Sequence, residues 1–300
     1  MLWPLRTEDQ AMLQNLQNRY SRYLLLLFTV VWLSACASGQ APSGGSSPEE
    51  LTRNGPYEIR SYIGFEYPAE YLRATIYYPL NVDRPVGGIA ISPGFTQLQR
   101  HNNWWGARLA SHGYAVLVLD TNDLRDRPEQ RAEALFAGIR TLRQENARGE
   151  SPLYQQLDND RMAVMGHSMG GGGALLAAQK YGDQLKAAIP YTPWQPDADF
   201  SGITIPTLIF GGEDDRIAPV ADHARIHFDS LPDTTEKVYL EVAGGDHFIA
   251  NNQSGHLHGM LGKYALAWLK LHLDGDESYR DMLYGNMPTS DRQQFSRVNN

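Results

Sequence analysis

The stretch Val164-Met165-Gly166-His167-Ser168-Met169-Gly170-Gly171-Gly172-Gly173-Ala174-Leu175 sets five glycines around one serine. Glycine loses more backbone entropy on folding than any other residue, so this density needs a steric reason. Gly166 to Gly170 fits G-x-S-x-G, the nucleophile elbow, in which a sharp strand-to-helix turn holds the serine in strained geometry. The flanking sequence supplies that context: an apolar run precedes the motif and an Ala/Leu-rich helical pattern follows it. A phosphate-cradling reading fails, because no Lys-Ser/Thr follows and Ser168 occupies the second glycine position of a dinucleotide fingerprint.

Outward from the elbow, short apolar or β-branched runs alternate with longer helical patterns. Strands are expected at Glu58 to Ile63, Arg73 to Tyr78, Gly88 to Ser92, Ala115 to Leu119, Met162 to Met165, Ala187 to Ile189, Thr207 to Phe210 and Lys237 to Val242. Helical patterns occupy Trp105 to His112, Gln130 to Asn146, Met169 to Tyr181, Val220 to Ser230 and Gly259 to Leu273. Several of the strands are almost wholly apolar, as strands buried on both faces must be. The reading is an α/β domain: a mostly parallel sheet of about eight or nine strands flanked by helices, with the first two strands antiparallel because no helix separates them.

In such sheets chemistry gathers at the carboxyl ends of the strands. A serine hydroxyl needs a base, and the base needs an acid to hold its tautomer; in this arrangement the chain order is Ser, Asp, His. Of nine histidines, His247 alone directly follows a strand in a Gly-rich loop, whereas His167 lies within the elbow and is expected to point away from its neighbour Ser168, and His223, His227 and His272 fall in helical patterns. His256 and His258 form an H-x-H pair without an evident third ligand, so no metal site is expected. Asp214 and Asp215 follow the strand Thr207 to Phe210 and spacing does not separate them; Asp246 is expected to tune the base rather than orient it.

Two donors are needed for a developing oxyanion: the backbone N–H of Met169, after the nucleophile, and that of Phe95, in the loop after the third strand. The side chains of Phe95 and Trp194 are then expected to line opposite walls of a substrate cleft. Pro190 to Pro206 is only 17 residues, too short for a helical cap, so no lid domain is expected.

The chain has 300 residues and a net charge of −8; the first 36 residues carry one net positive charge, leaving −9 on the rest, which disfavours a nucleic-acid partner. Leu24 to Leu33 is an apolar run too short to span a bilayer, preceded by Arg19 and Arg22, and reads as the core of a signal peptide. It ends in Leu33-Ser34-Ala35-Cys36, which resembles the bacterial lipobox, and Cys36 is the only cysteine. The expected organisation is a lipoprotein-type signal peptide over 1–36, with Met12 as an alternative start, a flexible tether over 37–53 and a catalytic domain over 54–300. The product is expected to be exported and lipid-anchored through Cys36, with no other membrane contact.

The segments Ser92-Pro93-Gly94-Phe95-Thr96, Trp104-Trp105-Gly106, Leu109 to Gly113, Leu119-Asp120-Thr121-Asn122, Met165 to Gly173, Thr192-Pro193-Trp194, Ile217-Ala218-Pro219-Val220 and His247-Phe248 closely resemble those of bacterial cutinases and polyethylene-terephthalate-degrading polyester hydrolases, over roughly Gly55 to Asp274. The resemblance implies an α/β-hydrolase fold and a serine carboxylesterase with Ser168 as nucleophile, His247 as base and Asp215, the residue before the x-Ile-Ala-Pro segment, as acid. It also places Phe95 and Met169 at the oxyanion and makes Phe95 and Trp194 an aromatic clamp. The family's C-terminal disulfide has no second cysteine here, Tyr284 standing about where one would fall, and Ala243 replaces one ligand of its calcium site. The expected partner is a polyester or small ester acted on by a monomer without cofactor; a lipase or short-chain esterase, and a non-catalytic ligand-binding lipoprotein, are the alternatives.

Overall fold

A computed structural model describes residues 47–197 and 199–300; the expected signal peptide, Cys36 and most of the expected tether lie outside them. Nine strands form one sheet: β1 (Ile59–Tyr62), β2 (Arg73–Pro79), β3 (Val86–Ser92), β4 (Tyr114–Asp120), β5 (Leu157–His167), β6 (Ala187–Tyr191), β7 (Thr207–Gly212), β8 (Lys237–Val242) and β9 (Phe295–Asn299). Their order is β1-β2-β4-β3-β5-β6-β7-β8-β9. β3 to β8 run parallel, while β1, β2 and β9 are antiparallel to their neighbours.

Alternation along the central strands divides the core. Ile89 and Ile91 of β3, Val116 and Val118 of β4, and Ala163 and Met165 of β5 face one side, where α1 (Asn103–Ser111) and α5 (His258–His272) cover them. Ala90, Ala115, Leu117, Met162 and Val164 face the other, beneath α2 (Pro128–Ala147), α3 (Met169–Lys180) and α4 (Ala224–Ser230). Both faces are buried, which is why these strands read as continuous apolar runs. The chain leaves β3 for β4 on one side and returns to β5 on the other, so a topological switch point opens at the carboxyl ends of β3 and β5.

All eight expected strands and five helical patterns are present, with three differences. β9 was not expected: it is a short edge strand that meets the core through buried Phe295, edge-on to Tyr264 with ring centroids 5.3 Å apart, and through half-buried Val298. The pattern from Val220 is helical only from Ala224, the residues before it being turns on the Pro219 carbonyl. The end of the expected tether is also ordered against the domain. Glu50–Thr52 forms a 3-10 turn, Leu51 is fully buried in the core, and Glu49 pairs with Lys263 at 3.0 Å. Short α6 (Arg280–Tyr284) and α7 (Thr289–Arg292) precede β9. Between β6 and β7 no described residue is helical, and no helix among the described residues is long and apolar enough to cross a membrane.

Candidate active site

The glycines of the opening stretch are spent on close approach. Ser168 has φ 55° and ψ −120°, a strained conformation for a residue with a side chain, and its sharp turn brings strand and helix backbones together. A Cβ on Gly166 would lie 2.1 Å from the Gly170 carbonyl oxygen, and one on Gly170 would lie 2.3 Å from that of Ser92. Further along the helix, a Cβ on Gly172 would lie 2.3 Å from the Trp194 carbonyl oxygen. Only glycines let β5, α3 and the β3 and β6 loops meet here.

Ser168 Oγ lies 2.8 Å from His247 Nε2, and His247 Nδ1 lies 2.7 Å from Asp215 Oδ2. The Asp215 side chain is 1% exposed and that of His247 4% exposed. Asp215 is held by its second oxygen, which accepts the N–H groups of Ile217 (2.9 Å) and Ala218 (2.7 Å). Asp214 is exposed, and Asp246 turns from the ring to accept the Phe248 N–H at 2.8 Å. The structure thus separates the two aspartates that spacing leaves equivalent.

His167, beside the serine in sequence, makes its contacts with other segments. It is 1% exposed, donates from Nε2 to the His247 carbonyl at 2.7 Å, and has Nδ1 2.8 Å from the Gln97 side-chain amide. Thr192 Oγ1 donates to the same carbonyl at 2.9 Å, so the backbone of His247 is gripped from two sides. Burial, reinforced by the neighbouring His247, pushes the His167 pKa down to about 3. It is therefore neutral at neutral pH.

Ser168 and His247 open onto a cleft of about 410 Å³ lined also by Phe95, Thr96, Ile217 and Phe248. Phe95 is 45% and Ile217 55% exposed, which makes the lining apolar and the cleft open. Met169 is the first residue of α3, so its N–H has no acceptor within the helix. The Trp194 ring is not part of the cleft lining. The backbone N–H of Trp194 donates to the Ser168 carbonyl at 2.9 Å, and the ring lies against His223 and Arg127, at 5.7 Å from each. Neither aspartate-loop Ile217 nor Phe248 has a role in the sequence reading beyond its motif, although each sits within two residues of Asp215 or His247. Gln97 and His101, also at the cleft, carry no local signal at all. Half-buried His258 of the H-x-H pair stacks on Trp104 with centroids 3.7 Å apart and faces the Asn251 carbonyl.

A family model described as PET hydrolase-like matches residues 34–300. The chain belongs to that family. Among relatives of this PET hydrolase-like chain, the cutinase cut1 of Thermobifida fusca is 38% identical over 283 residues, covering 93% of this chain and 86% of its own. Cutinase 1 of Thermobifida cellulosilytica is 44% identical over 209 residues, covering 70% and 76%. A bis(hydroxyethyl) terephthalate hydrolase of Streptomyces coelicolor is 37% identical over 265 residues, covering 87% and 82%. PET hydrolase-like chains have the α/β-hydrolase fold, in keeping with the single, mostly parallel sheet described above.

Proposed function

We propose that this chain hydrolyses carboxylic esters, polyesters among them, through an acyl-enzyme on Ser168. The observation that carries the reading is the relay Ser168 Oγ, His247, Asp215, at 2.8 and 2.7 Å, facing an open apolar cleft. As Oγ attacks the ester carbonyl, His247 Nε2 takes its proton, and Asp215 stabilises the imidazolium through Nδ1–H. The N–H groups of Met169 and Phe95 receive the oxyanion, whose charge is fully developed only in the tetrahedral species. Collapse breaks the ester C–O bond and His247 returns the proton to the departing alcohol; a water activated by the same nitrogen then releases the acid and regenerates Ser168.

Exposed Phe95 and Ile217 favour a substrate that lies across the surface, since an isolated small ester gains little from walls open to solvent. Trp194 flanks the nucleophile through its backbone bond to Ser168 and serves as the far border of the same surface. Release of monomers from aliphatic and aromatic polyester films by the purified protein, lost in Ser168→Ala, tests this. Activity on soluble p-nitrophenyl esters alone would make it a short-chain esterase. The reading includes export and anchoring through Cys36, checked by incorporation of labelled palmitate into the intact chain and its loss in Cys36→Ser. It also includes action as a monomer without cofactor, checked by sedimentation and by activity after chelation.

A further inference from the structure

Arg131 stands where an arginine is costly three times over. It is 0% exposed, it lies in the first turn of α2, where the helix dipole disfavours a cation, and the ion pairs among the described residues include none to it, the Asp126 carboxylate acting on it only through space. Burial lowers its pKa only to about 10, so it remains charged at neutral pH. Its donors all go to backbone carbonyls: Nε to Asp126 (2.8 Å), Nη1 to Pro93 (2.8 Å) and Nη2 to Leu124 (3.2 Å).

Two of those carbonyls bracket Phe95. Pro93 precedes the Gly94-Phe95 pair, and the Leu124 carbonyl also accepts the N–H of Thr96 at 2.7 Å. Between them Gln97 donates its N–H to the Gly94 carbonyl at 3.1 Å and accepts the Gly94 N–H on its side chain at 3.1 Å. In a trans peptide C=O and N–H point in opposite directions, so the Phe95 N–H is turned away from Gln97. The loop passes directly over the nucleophile: a Cβ on Gly94 would lie 2.9 Å from Ser168 Cβ. A Cβ on Gly173 would lie 2.8 Å from Arg131 Cβ, so the elbow helix is pressed against the same arginine.

We propose that Arg131 is a positioning residue for ester hydrolysis: gripping Pro93 and Leu124, it fixes the Phe95 N–H as an oxyanion donor, and its charge, with no carboxylate in direct contact, favours the negative charge formed there. This rests on the reading of Ser168 as nucleophile and of the Phe95 N–H as donor. The test compares wild type, Arg131→Lys and Arg131→Gln with p-nitrophenyl butyrate, normalising rates to active sites titrated to completion with a fluorophosphonate, and measures binding of phenylboronic acid, whose adduct with serine is tetrahedral. Per-site kcat is expected to fall at least about tenfold in Arg131→Gln and less in Arg131→Lys, with KM within about threefold and boronate affinity falling in parallel. Lysine keeps the charge but cannot reach three carbonyls, so it also serves if the glutamine variant does not fold. A purely structural arginine would lower the titratable fraction and the melting temperature while leaving per-site kcat and boronate affinity at wild-type values, and that result overturns the inference. Boronate binding no tighter to wild type than to Ser168→Ala would instead remove the serine reading beneath it.

Discussion

At the residue scale the site depends on which polar atoms are already engaged. Asp215 can orient His247 because its other oxygen is committed to Ile217 and Ala218, whereas Asp214 is exposed and its N–H is used on the Gly245 carbonyl at 2.8 Å. Asp215→Asn is therefore expected to lower kcat on p-nitrophenyl butyrate by roughly a thousandfold or more, by favouring the wrong tautomer, and Asp214→Asn to change it less than about twofold. Equal losses in the two variants would contradict the geometry. Ser168→Ala should abolish turnover, since the rest of the relay has no nucleophile to activate.

At the element scale the helix after the serine is built against its own propensity. Alanine in place of a helical glycine is ordinarily favourable by about 1 kcal/mol. In Gly170 that gain meets the Ser92 carbonyl oxygen at 2.3 Å, so Gly170→Ala must force α3 from β3 and is expected to cost more than about 2 kcal/mol. Gly262, on α5, is the control: its nearest neighbour would be the end of the Arg108 side chain at 3.4 Å, which can move. Gly262→Ala should therefore stabilise the protein by several tenths to about 1 kcal/mol. Urea unfolding of the two variants checks both signs. The helices, most strands and the elbow were legible because period and glycine spacing are local properties. β9 was not, since an edge strand facing solvent on one side needs little apolar pattern; neither was Leu51, whose burial depends on a groove beside α5.

For the whole molecule, removing residues 47–53 deletes fully buried Leu51 and leaves Lys263, 2% exposed, with Asp291 as its remaining carboxylate at 2.7 Å. A chain beginning at Asn54 is expected to be less stable than one beginning at Ser47 by more than about 2 kcal/mol, measured by denaturant unfolding. Acid should also weaken the fold. Burial lowers the pKa of His112, His227 and His272 to about 4 and of His167 to about 3. Below the unfolded value of about 6.5 the unfolded chain binds more protons than the native one, so stability is complete above that pH and drains as pH falls toward 4. Each histidine contributes up to about 2 kcal/mol of loss by pH 5, and an unfolding midpoint unchanged between pH 7.5 and pH 5 would refute this.

The sequence by itself determined the sheet's core strands, the order of its helices, the elbow at Ser168 and the two downstream loops that carry Asp215 and His247. These follow from periodicity and from the steric demands of one turn, which act between near neighbours. Tertiary structure decided that His167 holds the His247 carbonyl and that the Trp194 ring lies against His223 and Arg127, and it shows Asp215, which spacing does not separate from Asp214 and the resemblance assigns, meeting His247. It also decided that a buried arginine grips the loop over the serine. Each of these depends on which backbone group a side chain finds across the fold, a matter of distance in space that spacing along the chain does not encode.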